Sequence, residues 1–556
     1  MDVGFAGQWP VWRRTGEGSV AARSRRRAAL FVTLWALLQA LKVVLMTRLA
    51  LLPDEAFYAW EGRHPAWGYS DLPPLTALLT RLGQALLGPG AVGVRFPFFI
   101  LGAILPWLVV AYGRLIGGRR IGWSAGLLAL ALPMLATLGV LALPDVPLTA
   151  FALVALIALE RAARNGRWRD WLLLGTALAL AAFTHYRAGM FALAGLAFAL
   201  LTPRGRRLWR QPGWYAALAL GLIATLIVVG WNLHHHWQAL DFQLVQRNPW
   251  HFQPRALVQP LEQAAVVTPL LYGLLLWSLA RALRRMRRGA PWDLAAIAAT
   301  TLLGGYFVFG LFADDQHFRL HWPLPGYLPL LPLLARDAAA LWRRGRVVAR
   351  TFLTATFALA GAGLLVLLAW FALAGSPALA TDWSYSKLFP NVFLGWRQVA
   401  ARTGELLRDG HGSRPLLVTD HYAMAAELEL LLQPRRPAWT LDNPLNAYHG
   451  RAPQLADWGR DERGLRRDHP GAAVLLVVEE SALKEREQPA WLQSICRRLA
   501  DLKPLGRLDL YRGEKRYSFW SARVPVRPLP AVAGAACPVW QSAHAAYLRA
   551  EAARKP

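Results

Sequence analysis

Charged residues are scarce in this sequence. Only 17% of its 556 residues are Asp, Glu, Lys or Arg, whereas about 25% is usual for a soluble protein. Acidic residues are scarcer still, with 34 Asp and Glu against 62 Lys and Arg. So little charge excludes a wholly soluble protein of ordinary composition.

Cysteine is nearly absent. The two cysteines, Cys496 and Cys537, both lie in the last part of the chain. Two are too few for a disulfide framework, which excludes a small disulfide-stabilised fold. A single bridge, formed if this part faces an oxidising compartment, and two unrelated thiols are equally compatible with the sequence.

Hydrophobic residues, by contrast, make up 55% of the chain. They form runs of about 16–25 residues, mostly long enough to cross a hydrocarbon core of about 30 Å. We therefore predict a polytopic α-helical membrane protein with about eleven spans and a small C-terminal α/β soluble domain. The spans are predicted at 29–51, 92–113, 121–140, 144–162, 169–184, 188–203, 214–234, 262–281, 292–312, 321–336 and 349–373.

Three parts of the chain follow from this pattern. Residues 1–28 form a tail, 29–375 form the membrane domain with a first outer loop at 52–91, and 376–556 form the C-terminal domain. The first apolar run is longer than the core of a signal peptide and lacks a small-residue cleavage site after it, so we expect it to be retained as a span.

Arginine clusters recur in every second connection between the predicted spans. This recurrence is typical of loops on the cytoplasmic side, so it explains the net charge of +28 without a nucleic-acid partner. An odd number of spans then places the C-terminal domain outside, which in a bacterium means an inner-membrane protein with a periplasmic domain. The clusters lie at 114–120, 161–169, 204–210, 281–288 and 336–350.

The unusual polar residues gather on the opposite, outer side. Acidic residues at membrane depth are costly and usually functional, so this gathering predicts a site. It comprises Asp54, Glu55, Asp71, Asp145, His185, Arg187, Asp241, Gln243, Arg247, Asp314, Asp315, His317, Arg319 and His321.

Several of these residues have a simpler explanation. Asp54, Glu55 and Asp145 could stabilise helix N-termini, and Arg187 could anchor a span at the interface. A divalent cation held near residues 314–317 is an alternative to pairing of these acids with arginine. We favour pairing, and we expect neither a metal nor another cofactor.

Short motifs in the same order along the chain resemble the GT-C glycosyltransferases. The resemblance is to family 39, the dolichyl-phosphate-mannose–protein mannosyltransferase type, and to the bacterial lipid A aminoarabinose transferase group. The motifs lie at Pro53–Tyr58, Gly68–Pro74, Leu143–Leu148, Trp231–Asn232, Trp322–Leu328 and Asp420–Leu428.

The resemblance implies an enzyme that transfers a sugar from a polyprenyl-phosphate donor, by a single inverting displacement, to a hydroxyl of a lipid, glycan or protein. Asp54 matches the essential acid and would act as the base. Leu72 is a departure, because relatives often have a basic residue there, so another cation must contact the phosphate. The remaining substrate-binding candidates are Glu55, Tyr58, Asp71, Asp145, Arg187, Arg247, His317 and Arg319.

The C-terminal domain shows short strand patterns at 416–419, 472–478 and 506–511, and a helix pattern at 420–433. It has no catalytic motif, so we expect it to bind the acceptor or to pack over the membrane domain.

A flippase of lipid-linked sugars is the alternative function, and a non-catalytic protein of the same fold is a third. A flippase needs a polar route across the membrane, and the arginine-rich halves of the spans show no polar set that matches the outer one.

Overall fold

The computed structural model describes residues 17–247, 250–313, 320–384, 386, 388–409, 414–484, 486–529 and 537–554. The part up to residue 374 is helical. Its helices are α1 (Glu17–Arg48), α2 (Pro53–Glu61), α3 (Leu75–Leu87), α4 (Ala91–Ala131), α5 (Pro133–Thr137), α6 (Asp145–Asn165), α7 (Trp168–Thr184), α8 (Gly189–Leu201), α9 (Pro203–Arg206), α10 (Pro212–His234), α11 (Gln238–Asp241), α12 (Gln259–Val267), α13 (Pro269–Arg285), α14 (Trp292–Gly310), α15 (Leu324–Tyr327), α16 (Leu331–Arg343) and α17 (Val347–Ala374).

The part after residue 374 alternates helices and strands. These elements are α18 (Pro377–Trp383), α19 (Trp396–Arg408), β1 (Leu416–Thr419), α20 (Tyr422–Leu431), β2 (Ala438–Thr440), α21 (Pro444–Tyr448), α22 (Ala452–Asp457), α23 (Glu462–Asp468), β3 (Ala473–Glu479), α24 (Gln488–Ile495), β4 (Ala500–Leu510), β5 (Lys515–Arg523) and α25 (Pro538–Arg554).

Within the described ranges, six helices are long and apolar enough to cross a membrane: most of α1, and α4, α6, α10, α14 and α17. Two bent helix pairs raise the number to eight if each pair forms one span. The chain is therefore a multi-pass membrane protein, but the predicted count of about eleven spans is not confirmed.

Glycine and proline explain why the count differs. The predicted spans 92–113 and 121–140 both reach into α4, which counts once among the six helices although its helical geometry is broken at Gly117 and Gly118, where Gly118 has a φ of 79°. The predicted span 321–336 contains four prolines, which remove helical hydrogen bonds and divide the run into α15, a 3₁₀ turn and α16. Apolar composition alone does not reveal these breaks.

The first outer loop folds as two helices that cannot span a bilayer. Pro53 starts α2 with two acids in its first turn, and α3 has only 13 residues. A Cβ atom on Gly62 would lie 2.6 Å from the carbonyl oxygen of Ala77, so the glycine lets α3 approach the end of α2 closely. The loop therefore holds Asp54 on a short, supported helix.

Glu55 anchors this helix to the membrane domain. Its carboxylate accepts hydrogen bonds from Arg95 Nε at 2.7 Å and from the backbone N–H of Ala142 at 2.6 Å. Arg95 also donates to the carbonyl oxygens of Met46 and Leu49 at the end of α1. Glu55 and Arg95 are both fully buried, and together they join α1, α2, α4 and the segment before α6.

A second buried charge network lies at the arginine-rich end of the helices. Arg204 donates to both oxygens of Glu160, at 3.0 and 2.7 Å, and to both oxygens of Asp293, at 3.0 and 2.8 Å. Arg164 also donates to Glu160 at 2.7 Å. This end therefore contains buried acids as well as arginines, but their carboxylates are bound in ion pairs. We call Arg204, Arg164, Glu160 and Asp293 the Arg204 cluster.

The C-terminal domain contains one five-stranded sheet with strand order β2-β1-β3-β5-β4. β1 pairs in parallel with β2 and β3, whereas β5 pairs antiparallel with β3 and β4. This mixed sheet with its helices confirms the predicted α/β domain. Cys496 and Cys537 are joined by a disulfide bond, which connects α25 to the end of α24.

The C-terminal domain packs directly on the first outer helix. Phe57 and Trp60 of α2 share a hydrophobic core with residues of α19, α20 and the sheet. The ring of Phe57 lies 5.6 Å from that of Tyr422 and 5.8 Å from that of Trp458. The helix that carries Asp54 is therefore fixed from both sides, by the membrane domain through Glu55 and by the C-terminal domain through these rings.

Candidate active site

A cavity of about 350 Å³ lies where the membrane domain meets the C-terminal domain. Both domains contribute polar side chains to its wall. It is lined by Leu52, Asp54, Tyr58, Asp71, Leu72, Leu143, Pro144, Asp145, His185, Arg187, Phe242, Gln243, Arg247, His321, Trp322, Tyr448, His449 and Arg451.

Asp54 enters the cavity from the first turn of α2. Its side chain is 35% exposed, so solvent or a substrate can reach the carboxylate. Arg451 of the C-terminal domain donates from Nη2 to Asp54 Oδ1 at 3.1 Å. The candidate base is thus bound to a cation that lies 397 residues away in the chain.

Arg451 also pairs with Asp71 through Nη1, and the same nitrogen lies 3.6 Å from Glu61 Oε1. We call Arg451, Asp54, Asp71 and Glu61 the Arg451 cluster. Burial alone would lower the pKa of Arg451, but Asp71, Tyr58 and Asp54 raise it well above its usual value. The guanidinium is therefore permanently charged.

Glu61 differs from the other acids of this cluster because it is completely enclosed. Burial raises the pKa of its carboxyl group well above the usual value, and the neighbouring Asp71 carboxylate adds to this effect. Burial and the charge of Asp54 likewise raise the pKa of Tyr58. Burial therefore favours the neutral form of Glu61, and Tyr58 keeps its proton at neutral pH.

Aromatic rings and backbone contacts hold Arg451 in place. Its guanidinium carbon lies 4.4 Å from the ring centre of Phe57, a favourable cation–π distance. Next to it in the chain, the carbonyl oxygen of Gly450 accepts a 2.6 Å hydrogen bond from Ser70 Oγ. Gly450 has a positive φ of 72°, and a side chain there would collide with Phe242. Arg451 therefore has little room to move as a whole.

A second ion pair forms the opposite part of the wall. Arg187 Nη2 donates to Asp145 Oδ1 at 2.7 Å, and His321 Nε2 lies 3.2 Å from Asp145 Oδ2. The guanidinium of Arg187 also lies 5.1 Å from the ring centre of Trp322. Asp145 starts α6 and Arg187 follows α7, so two helix ends bring this pair together.

An apolar groove adjoins this ion pair. It measures about 200 Å³ and shares Leu143, Asp145, Arg187 and His321 with the polar cavity. Leu138, Leu148, Leu324, Leu367 and Phe371 form much of its remaining wall. A polar cavity that passes into an apolar groove suits a ligand with a charged head and a hydrocarbon chain.

Arg247 connects the two sides of the cavity. Its Nη1 donates to Gln243 Oε1 at 3.1 Å, and Gln243 Nε2 donates to the carbonyl oxygen of Asp71 at 2.6 Å. The guanidinium lies 5.9 Å from the ring of Trp322, beside which Arg187 also lies. Three arginines therefore line one cavity, each held by neighbouring groups.

Most of the predicted site residues come together here. Asp54, Tyr58, Asp71, Asp145, Arg187 and Arg247 all line the cavity. Glu55 is the exception: it lies behind Asp54 with its carboxylate engaged by Arg95, Leu52 and Ala142. Its assignment as a substrate-binding residue is therefore corrected to a structural one. His317, Arg319 and the acids at 314 and 315 lie outside the described residues.

Sequence reasoning missed the contribution of the C-terminal domain. The cavity is lined by Arg451, His449 and Tyr448 as well. Arginine and histidine are common in soluble domains, so their presence in the sequence does not predict a site. The resemblance implied that another cation must compensate for Leu72, which itself lines the cavity, and the candidates from the sequence were Arg187, Arg247 and Arg319. Arg451 could not be added to them without the fold.

Comparisons with known proteins agree with this geometry. A profile of the family described as dolichyl-phosphate-mannose-protein mannosyltransferase matches residues 71–231. The lipid A galacturonosyltransferase RgtD of Rhizobium johnstonii is 26% identical over 397 residues, which cover 67% of this chain and 76% of the relative.

Solved structures share the fold over nearly the whole chain. ArnT from Cupriavidus metallidurans in the apo state superposes with a TM-score of 0.60 at 15% identity, covering 91% of this chain and 98% of ArnT. The structure of ArnT bound to undecaprenyl phosphate gives 0.59 at 17% identity, covering 89% and 97%.

The chain therefore has the fold of the GT-C glycosyltransferases, a class of multi-pass membrane proteins. Within this class its arrangement is that of the ArnT group, with a small mixed-sheet domain after the membrane helices. The predicted fold class, apart from its span count, and the resemblance stated from the motifs are confirmed.

Proposed function

We propose that this protein is a membrane glycosyltransferase that moves a sugar from a polyprenyl-phosphate carrier to a hydroxyl group of an acceptor. One observation carries the proposal. Three carboxylates, Asp54 among them, and three arginines line a polar cavity that passes into an apolar groove. This combination suits a lipid phosphate that carries a sugar, and the solved ArnT structure with undecaprenyl phosphate has the same fold.

Asp54 would act as the general base. The acceptor oxygen attacks the anomeric carbon, its proton passes to Asp54, and the bond between that carbon and the phosphate oxygen breaks. The bonding electrons leave with the phosphate. Because the reaction is a single displacement, the anomeric configuration inverts. A positioned base contributes a factor of about 10²–10⁴ to such a step.

Arg187 and Arg247 would hold the leaving phosphate. Guanidinium groups bind phosphate oxygens in bidentate geometry and stabilise the charge that develops on them. Arg187 lines both the polar cavity and the apolar groove, the point at which a lipid phosphate would lie between its sugar and its hydrocarbon chain. Asp145 would keep Arg187 in position through their 2.7 Å bond.

Tyr58 and Asp71 would contact the sugar or the acceptor. Because burial and Asp54 raise the pKa of Tyr58, its hydroxyl remains a hydrogen-bond donor. Asp71 accepts hydrogen bonds, and it also fixes Arg451. His317 and Arg319 remain proposed contacts, placed by the sequence alone.

The acceptor and location are also part of the proposal. RgtD is named as acting on lipid A, and on this basis we propose a glycolipid acceptor and a hexose or pentose donor sugar. We propose an inner-membrane location, with residues 1–28 in the cytoplasm and 376–556 in the periplasm, on the side of the cavity. A flippase is not favoured, because the acids of the Arg204 cluster are bound in ion pairs.

The test is transfer of labelled sugar from polyprenyl-phosphate donors to a lipid extract by the purified protein. Asp54→Asn should lower the rate by about 10²–10⁴ while folding and insertion are unchanged. Asp241→Asn is the matched control, because Asp241 is an exposed acid in the outer set that does not line the cavity. Equal rates for the wild type and Asp54→Asn would remove Asp54 from the mechanism.

A further inference from the structure

Arg451 occupies an unusual position for a residue of a soluble domain. It lines the cavity with a side chain that is only 3% exposed, and it faces three carboxyl groups of the first outer loop. Even with Glu61 protonated, the Arg451 cluster holds one cation against the two carboxylates Asp54 and Asp71. The cluster therefore has a surplus of negative charge, which disfavours the binding of an anion unless a proton or a cation compensates.

The pair between Arg451 and Asp54 weakens Asp54 as a base. An adjacent guanidinium favours the charged form of a carboxylate, so Asp54 takes up a proton less readily while the pair exists. The 3.1 Å bond also occupies Asp54 Oδ1. For the proposed reaction to proceed well, the hydrogen bond from Arg451 Nη2 to Asp54 has to break and Nη2 has to bind another acceptor.

The geometry allows such an exchange with little movement. Nη1 of Arg451 pairs with Asp71, which is nearly fully buried, whereas Nη2 pairs with Asp54, which is 35% exposed. Asp71 and the ring of Phe57 can hold the guanidinium while Nη2 changes its partner. An anionic group beside Asp54 in the cavity would be a new acceptor for Nη2.

We infer that Arg451 links donor binding to activation of the base, and this inference rests on the proposed function. Before the donor binds, Arg451 holds Asp54 as a weak base. The donor phosphate then takes the Nη2 bond, and the loss of its cation, together with the added negative charge, makes Asp54 a stronger proton acceptor. The cation that Leu72 does not supply thus comes from the C-terminal domain.

The test is a double-mutant cycle on binding, with undecaprenyl phosphate as the probe and the full chain in nanodiscs. Arg451→Gln should weaken binding about tenfold or more, because a charge-assisted bond to phosphate is lost. The affinity of Arg451→Lys for undecaprenyl phosphate should lie between those of the wild type and Arg451→Gln. Arg507→Gln is the matched control, since Arg507 pairs with the buried Glu480 of the same domain and does not line the cavity.

Asp54→Asn tests directly whether Asp54 and the probe compete for Arg451. It frees Arg451, so the probe should bind about five- to tenfold more tightly although transfer is lost. In the Arg451→Gln background the same substitution should change binding less than about twofold. Equal tightening in both backgrounds, or unchanged binding in Arg451→Gln, would overturn the inference. A wild type that does not bind undecaprenyl phosphate at all would instead contradict the proposed function.

Discussion

Two of the buried charge clusters in the described part of this protein, the Arg204 cluster and the Arg451 cluster, have different compositions. In the Arg204 cluster two arginines face two acids, and the acids have side chains only 1% exposed. In the Arg451 cluster one arginine faces three carboxyl groups, and one of them, Asp54, opens to a cavity. The first arrangement is balanced and closed, as expected of a structural element. The second is unbalanced and open, as expected of a site that exchanges protons and binds ligands.

The largest effect is expected from breaking the balanced cluster. Arg204→Gln leaves Glu160 and Asp293 buried with too few cations, so the free energy of unfolding should fall by about 3–5 kcal/mol. Transfer per folded molecule should remain near the wild-type value. Thermal unfolding in detergent and the transfer assay measure the two quantities separately.

Arg206→Gln is the control for this substitution, because Arg206 lies two residues away on the same short helix and is exposed. It should leave stability unchanged to within about 0.5 kcal/mol. If Arg204→Gln abolished transfer in molecules that remain folded, the division between a structural and a functional cluster would be wrong.

A smaller effect on stability, with a clear effect on transfer, is expected at the opposite wall of the cavity. Arg187→Gln removes a cation from the junction of cavity and groove, and kcat/KM should fall about 10- to 100-fold. The exposed Arg255 offers a comparison on the same side, and Arg255→Gln should keep full activity. An Arg187→Gln protein with wild-type kcat/KM would exclude Arg187 from phosphate binding.

The smallest effect is expected at Glu61. Because burial raises the pKa of Glu61 and favours its neutral form, Glu61→Gln should mimic that form with a neutral group of similar shape, and both stability and transfer at neutral pH should change little. Asp71→Asn, which removes a charge that pairs with Arg451, should by contrast lower both. Comparing the two variants shows which acid carries the charge of the cluster.

The pH dependence of stability distinguishes Glu61 further. An acid whose pKa is raised on folding stabilises the folded protein below its unfolded-state pKa, and this contribution is lost as the pH rises through the raised value. Relative to Glu61→Gln, the unfolding temperature of the wild type should therefore fall as the pH rises from the unfolded-state pKa of about 4.3 to the raised folded-state pKa. Identical curves would show that the pKa of Glu61 is not raised on folding.

Much of the site could be predicted from the sequence, because acids near a membrane are rare enough to stand out. Asp54, Asp71 and Asp145 were found in this way. Glu55 was misassigned because it neighbours Asp54 in the chain, although successive residues of a helix point in directions about 100° apart. Only the fold shows that the Glu55 carboxylate binds Arg95 whereas the Asp54 carboxylate lines the cavity.

Other features depended on information that composition does not hold. The predicted number of spans is not confirmed, because proline can divide an apolar run, as in residues 321–336, without making it less apolar. Arg451 was missed because its role arises from a contact across 397 residues, in a domain where arginines are common. Three of the five strands of the C-terminal sheet, β1, β3 and part of β4, were found from local apolar patterns, whereas β2 and β5 were missed.

The contact between Ser70 and Gly450 has a consequence for biosynthesis. These residues are 380 positions apart, and a ribosome adds about 5–20 residues per second. Roughly 20–75 seconds must therefore pass between the synthesis of the first outer loop and that of the residue that completes its support. Throughout this interval the nascent chain has Asp54, the proposed base, but not Arg451, so the proposed site is complete only late in translation.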